Sequence, residues 1–89
     1  MTAAQQELFD LAILRVLDAN RARYGLTAAA TGHLMAEFGF PSPNNDDVLD
    51  RIDYLSRKQV IEEVTKIIGK ANRAWRITEA GLQYVDQRG

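Results

Sequence analysis

The stretch Arg73-Ala74-Trp75-Arg76-Ile77-Thr78-Glu79-Ala80-Gly81 decides how the rest of this chain is read. Residues 74–78 carry Trp75 and Ile77 on alternate positions, the period of a strand with one face buried. Thr78 followed by Glu79 and Ala80 then starts a helix. A threonine oxygen accepts a hydrogen bond from an orphan N–H of the first turn, and an acid there meets the positive end of the helix. Leu82 and Val85 face inward on this helix, which ends before Gly89. Immediately upstream, residues 60–68 are rich in β-branched side chains and form a second strand. Residues 69–73, Gly-Lys-Ala-Asn-Arg, make a polar tip suited to the turn between the two strands. Trp75, the single tryptophan, is expected to anchor this hairpin onto the helices rather than to contact a ligand.

Working outward toward the N-terminus, three helices precede the hairpin. Residues 5–18 contain no Gly or Pro, and Leu8, Phe9, Ala12, Ile13, Val16 and Leu17 fall on one broad helical arc. Leu11 and Leu14 lie off that arc, so the helix is apolar around more of its circumference than one core-facing stripe requires. Thr27 is placed to cap a second helix that runs to about Phe38, with Leu34 and Phe38 marking its buried side. Gly39-Phe40-Pro41-Ser42-Pro43 cannot continue a helix, because proline lacks an N–H and disfavours helical geometry in the residue before it. Asn44 or Asn45 offers the cap of a third helix, with Asp46 and Asp47 against its positive end. Val48, Ile52 and Leu55, with Leu49 beside them, form its core stripe, and it should stop near Gln59.

Bulk properties fit this plan. Eighty-nine residues, 46% apolar and 26% charged, are an ordinary globular mixture for one core, so residues 1–89 are expected to be a single domain. A chain this short buries a modest share of its surface, and dimerisation is one way to add stability. The absence of cysteine removes disulfides, thiolate metal sites and cysteine nucleophiles together. No apolar run approaches the roughly 20 residues needed to span a bilayer. Glu7 and Asp10 stand where a signal peptide carries positive charge, so a soluble, cytoplasmic protein without membrane partners is expected.

Two stretches carry a family resemblance. Leu55-Ser56-Arg57-Lys58-Gln59-Val60-Ile61 resembles the junction at which the recognition helix of a winged helix passes into its first wing strand. The stretch from Arg73 to Gly81 is similar to the returning wing strand and the Thr-Glu-x-Gly start of the closing helix. Both resemble winged-helix transcription regulators of the multiple-antibiotic-resistance and phenolic-acid-repressor kinds. The likeness in element order covers residues 5–88. It implies a mainly α fold with a small β-hairpin, a winged helix-turn-helix with a three-helix core, a two-stranded wing and a C-terminal helix. Two departures stand out. Gln59 occupies the usual glycine, so the chain either turns differently there or holds Gln59 in an unfavourable conformation. The link from Phe38 to Asn45 is also longer than the motif's usual three to four residues.

The resemblance implies double-stranded DNA as partner, with the third helix, residues 44–58, in the major groove and the wing, residues 64–76, along the backbone. Asn44, Asn45, Asp47, Asp50, Arg51 and Tyr54 then face the groove. Arginine and asparagine carry the paired groups that match guanine and adenine edges. Lys66, Lys70, Arg73 and Arg76, with no acid between residues 64 and 76, make the wing basic, and Arg57 and Lys58 add to it at the helix end. Such a cluster binds phosphate by releasing counterions.

The charge balance points the other way. The chain carries a net −1 and a pI near 5.7. Asp46, Asp47, Asp50 and Asp53 put four carboxylates on the third helix against Arg51, Arg57 and Lys58. A second reading is therefore a protein-interaction winged helix whose acidic third helix docks a basic partner. Leu11 and Leu14 are candidates for a homodimer interface across a two-fold axis, the alternative being cover by the rest of the same chain. An enzyme is not expected: the sequence has no Gly-rich phosphate loop, no metal-ligand spacing around its lone His33, and no nucleophile with a neighbouring base. No metal or cofactor is implied.

Overall fold

Thr2 opens the first helix with a reciprocal cap. Its hydroxyl accepts from the Gln5 backbone N–H at 3.1 Å, and the Gln5 side chain accepts from the Thr2 N–H at 2.9 Å. The resulting helix, α1, spans Ala3–Ala19 in this computed structural model, which describes residues 2–21, 25–64 and 73–88. The remaining elements are β1 (Leu26–Thr27), α2 (Ala28–Leu34) with a 3-10 turn (Met35–Phe38), α3 (Asn45–Arg57), β2 (Ile61–Val64), β3 (Ala74–Ile77) and α4 (Glu79–Arg88). The described residues are thus mainly helical, with four α-helices and one small antiparallel sheet in the order β1-β3-β2. Leu26 pairs with Trp75 on one side of β3, and Glu62 pairs with Arg76 on the other.

Helix α1 is the centre of the core. Phe9, Leu11, Ala12, Ile13, Leu14, Val16 and Leu17 are all buried, so the helix is enclosed on nearly every side between residues 9 and 17. A helix that is apolar all round is stable only when so enclosed. Leu11 (7% exposed) and Leu14 (fully buried) therefore offer no surface to a second copy, and the dimer interface expected from them is corrected: the chain covers them itself. Leu8, expected on the core arc, faces out instead and is 59% exposed.

The second helix tightens to 3-10 geometry after Leu34 and ends at Gly39, whose φ of 95° is easy only for glycine. Thr27 caps α2 as expected, accepting from Ala30 N–H at 3.1 Å. The deepest side chains here are Thr31 and Met35, whereas Leu34 and Phe38 are only half-buried. Thr31 is satisfied locally, its hydroxyl donating to the Thr27 carbonyl at 2.8 Å. The Phe40 ring meets Phe9 edge-on at 5.1 Å and ties the loop before α3 to the core.

Helix α3 buries Val48, Ile52 and Leu55, while Leu49 stays 41% exposed. Its C-terminal end resolves the question posed by Gln59. Gln59 has φ of 64°, its N–H donates to the Ser56 carbonyl, and Val60 N–H donates back to the Leu55 carbonyl. These two bonds are the Schellman closure that glycine usually makes, with Leu55 and Val60 in the flanking apolar positions. A side chain in this left-handed region costs roughly 1 kcal/mol. We expect Gln59→Gly to raise stability by up to ~1 kcal/mol and Gln59→Val to lower it, both read by urea denaturation.

β3 and α4 sit where the sequence places them, and β2 accounts for residues 61–64 of the strand expected over 60–68; residues 65–72, with most of the expected turn, lie outside the described residues. Ala74, Trp75 and Ile77 are buried and Arg76 is exposed. Thr78 caps α4, accepting from Gly81 N–H at 3.1 Å and donating its own hydroxyl to the Gln59 carbonyl at 2.8 Å. One side chain thus locks the start of α4 to the end of α3. Leu82 and Val85 pack against the core from α4. No helix among the described residues is long and apolar enough to cross a membrane.

Candidate nucleic-acid interface

Asn44 sets where α3 begins. Its side-chain oxygen accepts from Asp46 N–H at 2.8 Å and from Asp47 N–H at 3.4 Å, leaving only its amide N–H groups for other work. Asp46 and Asp47 occupy the first turn, where the helix dipole favours them. From there, side chains three and four apart divide α3 into two polar borders on either side of its buried stripe.

One border faces the sheet. Asn45 and Leu49 line a shallow hollow of about 320 Å³ with Thr27, Ala28 and Ala29 at the start of α2 and with Arg73 and Trp75 on the β3 side. Farther along α3, Asp53 forms an ion pair with Arg57 at 2.8 Å, and its charge also acts on Arg73. Arg73 lies over the Trp75 ring at 5.1 Å and grips Glu63 with two bonds of 3.0 and 2.9 Å. Those bonds raise the Arg73 guanidinium further above its ordinary value and hold the Glu63 carboxyl below its own. A continuous strip thus runs from Asn45 through Leu49 to Asp53 and Arg57, with Arg73 beside it.

The other border faces α1 and α4. Arg51 was expected in the groove-facing set; instead it turns inward and makes a fork-to-fork pair with Asp10, Nε to Oδ1 at 2.8 Å and Nη2 to Oδ2 at 2.7 Å. The side chains are 19% and 8% exposed, so this pair is largely shielded from water. The bond to Asp10 raises the Arg51 guanidinium above its ordinary value. Tyr54 lies beneath both cations of this border, 4.2 Å from Arg51 and 5.6 Å from Lys58. A groove of about 440 Å³ runs between Glu7 and Asp10 of α1, Arg51 and Tyr54 of α3 with Lys58 just beyond its end, and Tyr84 and Arg88 of α4. Arg88 pairs with Glu7 across it.

No family model, curated protein or solved structure matches this chain.

The ten residues singled out for DNA are therefore not one surface. Asn45, Arg57 and Arg73 share the sheet-side strip, with Asn44 at its head. Arg51, Tyr54 and Lys58 share the α1-side groove, and Arg51 is corrected from base reader to structural ion pair. Lys66 and Lys70 lie outside the described residues. Arg73 and Arg76, the described cations of the basic stretch expected over residues 64–76, are both paired with acids. Pairing with β2 sets Glu62 against Arg76 at 2.6 Å and Glu63 against Arg73, so the acids come from the neighbouring strand.

Two residues that matter were not singled out by sequence. Asp10 carried a signal: a carboxylate within a run that is apolar at every helical angle must be buried, and a buried charge requires a partner. Leu49 was assigned to the core stripe, and only its exposure in the hollow reveals another use.

Proposed function

We propose that this chain is a winged helix-turn-helix domain that binds duplex DNA, with α3 in the major groove and the β2–β3 hairpin against the backbone. The order helix, strand, helix, helix, strand, strand, helix, with a small sheet flanking α3, supports the fold assignment. The observation that carries the DNA reading is the continuity of the exposed α3 strip, Asn45 to Arg57, with Arg73 of the hairpin. A major groove admits a helix, and a basic side chain beside it reaches the phosphates.

The ion pairs of this strip do not oppose that reading. Arg57–Asp53, Arg73–Glu63 and Arg76–Glu62 are all largely exposed. Solvent-exposed pairs contribute little, so these arginines exchange a carboxylate for a phosphate at small cost. The test is a titration of random-sequence duplex DNA at low and at physiological salt, followed by amide NMR. Shifts should cluster on residues 45–57 and 73–76 and weaken as salt rises. Arg57→Ala and Arg73→Ala should each reduce affinity evenly across sequences and lower the salt slope by about 1. An unshifted spectrum at low salt overturns the proposal.

A second reading has its own observation. Asp46, Asp47 and Asp50 are exposed and have no ion-pair partner among the described residues, which suits a basic protein partner. Asp47→Lys together with Asp50→Lys separates the two. The change strengthens DNA binding under the first reading and abolishes capture of a basic protein under the second.

A further inference from the structure

We infer that the first two turns of α3 read A·T base pairs, with Asn45 on the adenine edge and Leu49 on the thymine methyl. The inference rests on the duplex-DNA reading above and names the kind of sequence that the site selects.

It follows from which groups α3 leaves available. Guanine offers two acceptors in the major groove and is read by the paired donors of arginine or by lysine. The arginine in the first two turns is Arg51, and its guanidinium is bound to Asp10 on the far side of the helix. Arg57 stands at the opposite end of α3, about 18 Å along the axis from Asn45 at 1.5 Å per residue, and is positioned for backbone. The exposed groups near the N-terminal end are instead the carboxylates of Asp46, Asp47 and Asp50. An ionised carboxylate only accepts hydrogen bonds, so it repels guanine O6 and N7 and tolerates the N–H groups of adenine and cytosine.

Asparagine is the residue that fits adenine, because one amide both donates to N7 and accepts from N6. Asn44 has spent its oxygen on the helix cap. Asn45 is exposed, and its amide makes no hydrogen bond among the described residues. One turn on, Leu49 exposes its methyl groups on the same wall of the hollow, between Asn45 and the Arg73 and Trp75 side. A single apolar side chain in an otherwise polar strip is matched by the one apolar group that a base presents in the major groove, the thymine C5 methyl.

Selection from a randomised duplex pool, followed by titration of chosen duplexes, tests this. The selected pool should centre on A·T pairs, and replacing them with G·C should lower affinity about tenfold or more. Replacing thymine by uracil, which lacks the methyl, should weaken wild-type binding several-fold and leave Leu49→Ala unaffected. Asn45→Ala should lose the adenine preference, binding A·T and G·C versions of the selected duplex with equal affinity. Both positions are exposed, so circular dichroism of the variants should match wild type. Salt-sensitive binding with equal affinity for thymine and uracil duplexes, or a pool enriched in guanine, overturns this inference and leaves the DNA reading standing. Absence of binding to any duplex at low salt overturns both.

Discussion

Gly81→Ala is expected to destabilise the protein by about 3 kcal/mol, the upper range for overpacking a closed site. A Cβ at this position would lie 2.1 Å from the Val60 carbonyl oxygen and 2.6 Å from Ile77 Cγ1. Neither neighbour can yield. The Val60 carbonyl accepts from Thr78 N–H at 3.0 Å, Val60 N–H closes the end of α3, and the Thr78 hydroxyl holds Gln59. Moving α4 outward by the missing distance would break these bonds and withdraw Leu82 and Val85 from the core. For a domain whose whole stability is about 5–15 kcal/mol, this is a large fraction, equivalent to a fall in Tm on the order of 15 °C. Gly39→Ala is the contrast: nothing lies within 4 Å of its Cβ, and only its φ of 95° resists the change. It should cost about 1 kcal/mol. Urea denaturation of the two variants decides the matter, and a Gly81→Ala protein as stable as Gly39→Ala would refute the close-packing account.

Asp10→Ala should be nearly as damaging, at about 3 kcal/mol, because it leaves the Arg51 guanidinium shielded and without its partner. Arg51→Ala should cost a similar amount by orphaning the Asp10 carboxylate. The double replacement Asp10→Leu with Arg51→Met should recover most of the loss, since well-packed apolar residues can substitute for a shielded pair. A strong negative coupling in the cycle formed by Asp10→Ala, Arg51→Ala and the combination of the two is the expected signature, and additive losses would exclude a tight pair. The same variants separate structure from recognition. At a temperature where Arg51→Ala is still folded, its affinity for DNA should match wild type, whereas Arg73→Ala should lose affinity without losing stability. Loss of binding by folded Arg51→Ala would return Arg51 to the groove-facing set.

Much of this architecture was legible because it is made locally. Asn44 caps residues two and three positions ahead, Thr78 caps three ahead, and the turn after α3 closes between Leu55 and Val60. Such bonds depend on residue type and spacing, so the starts of α2, α3 and α4 and the position of β3 could be read from the chain. The strand β1 could not. Two residues, Leu26 and Thr27, carry no periodicity, and they become a strand only because β3 lies beside them. The arc of α1 misled for a related reason. A helix apolar at almost every angle has no single inner face, and what excludes Leu8 while burying Leu11 and Leu14 is the arrangement of its neighbours.

The candidate site shows the same division more sharply. Residue types alone marked α3 as polar and mixed in charge, named Asn45, Arg57 and Arg73, and exposed the conflict between its aspartates and a DNA partner. They could not show which cations are engaged. Asp10 and Arg51 stand 41 residues apart in sequence, and Glu62 meets Arg76 only through strand register. By itself the sequence determined the four helices, the caps at Thr27 and Thr78, the strand β3 and the inventory of charges, all but the last consequences of interactions within a few residues. The tertiary structure alone decided that Arg51 is structural, that Leu49 is surface and that Gly81 admits no side chain. Each of those outcomes depends on a neighbour brought close by folding, at a distance that no local pattern encodes.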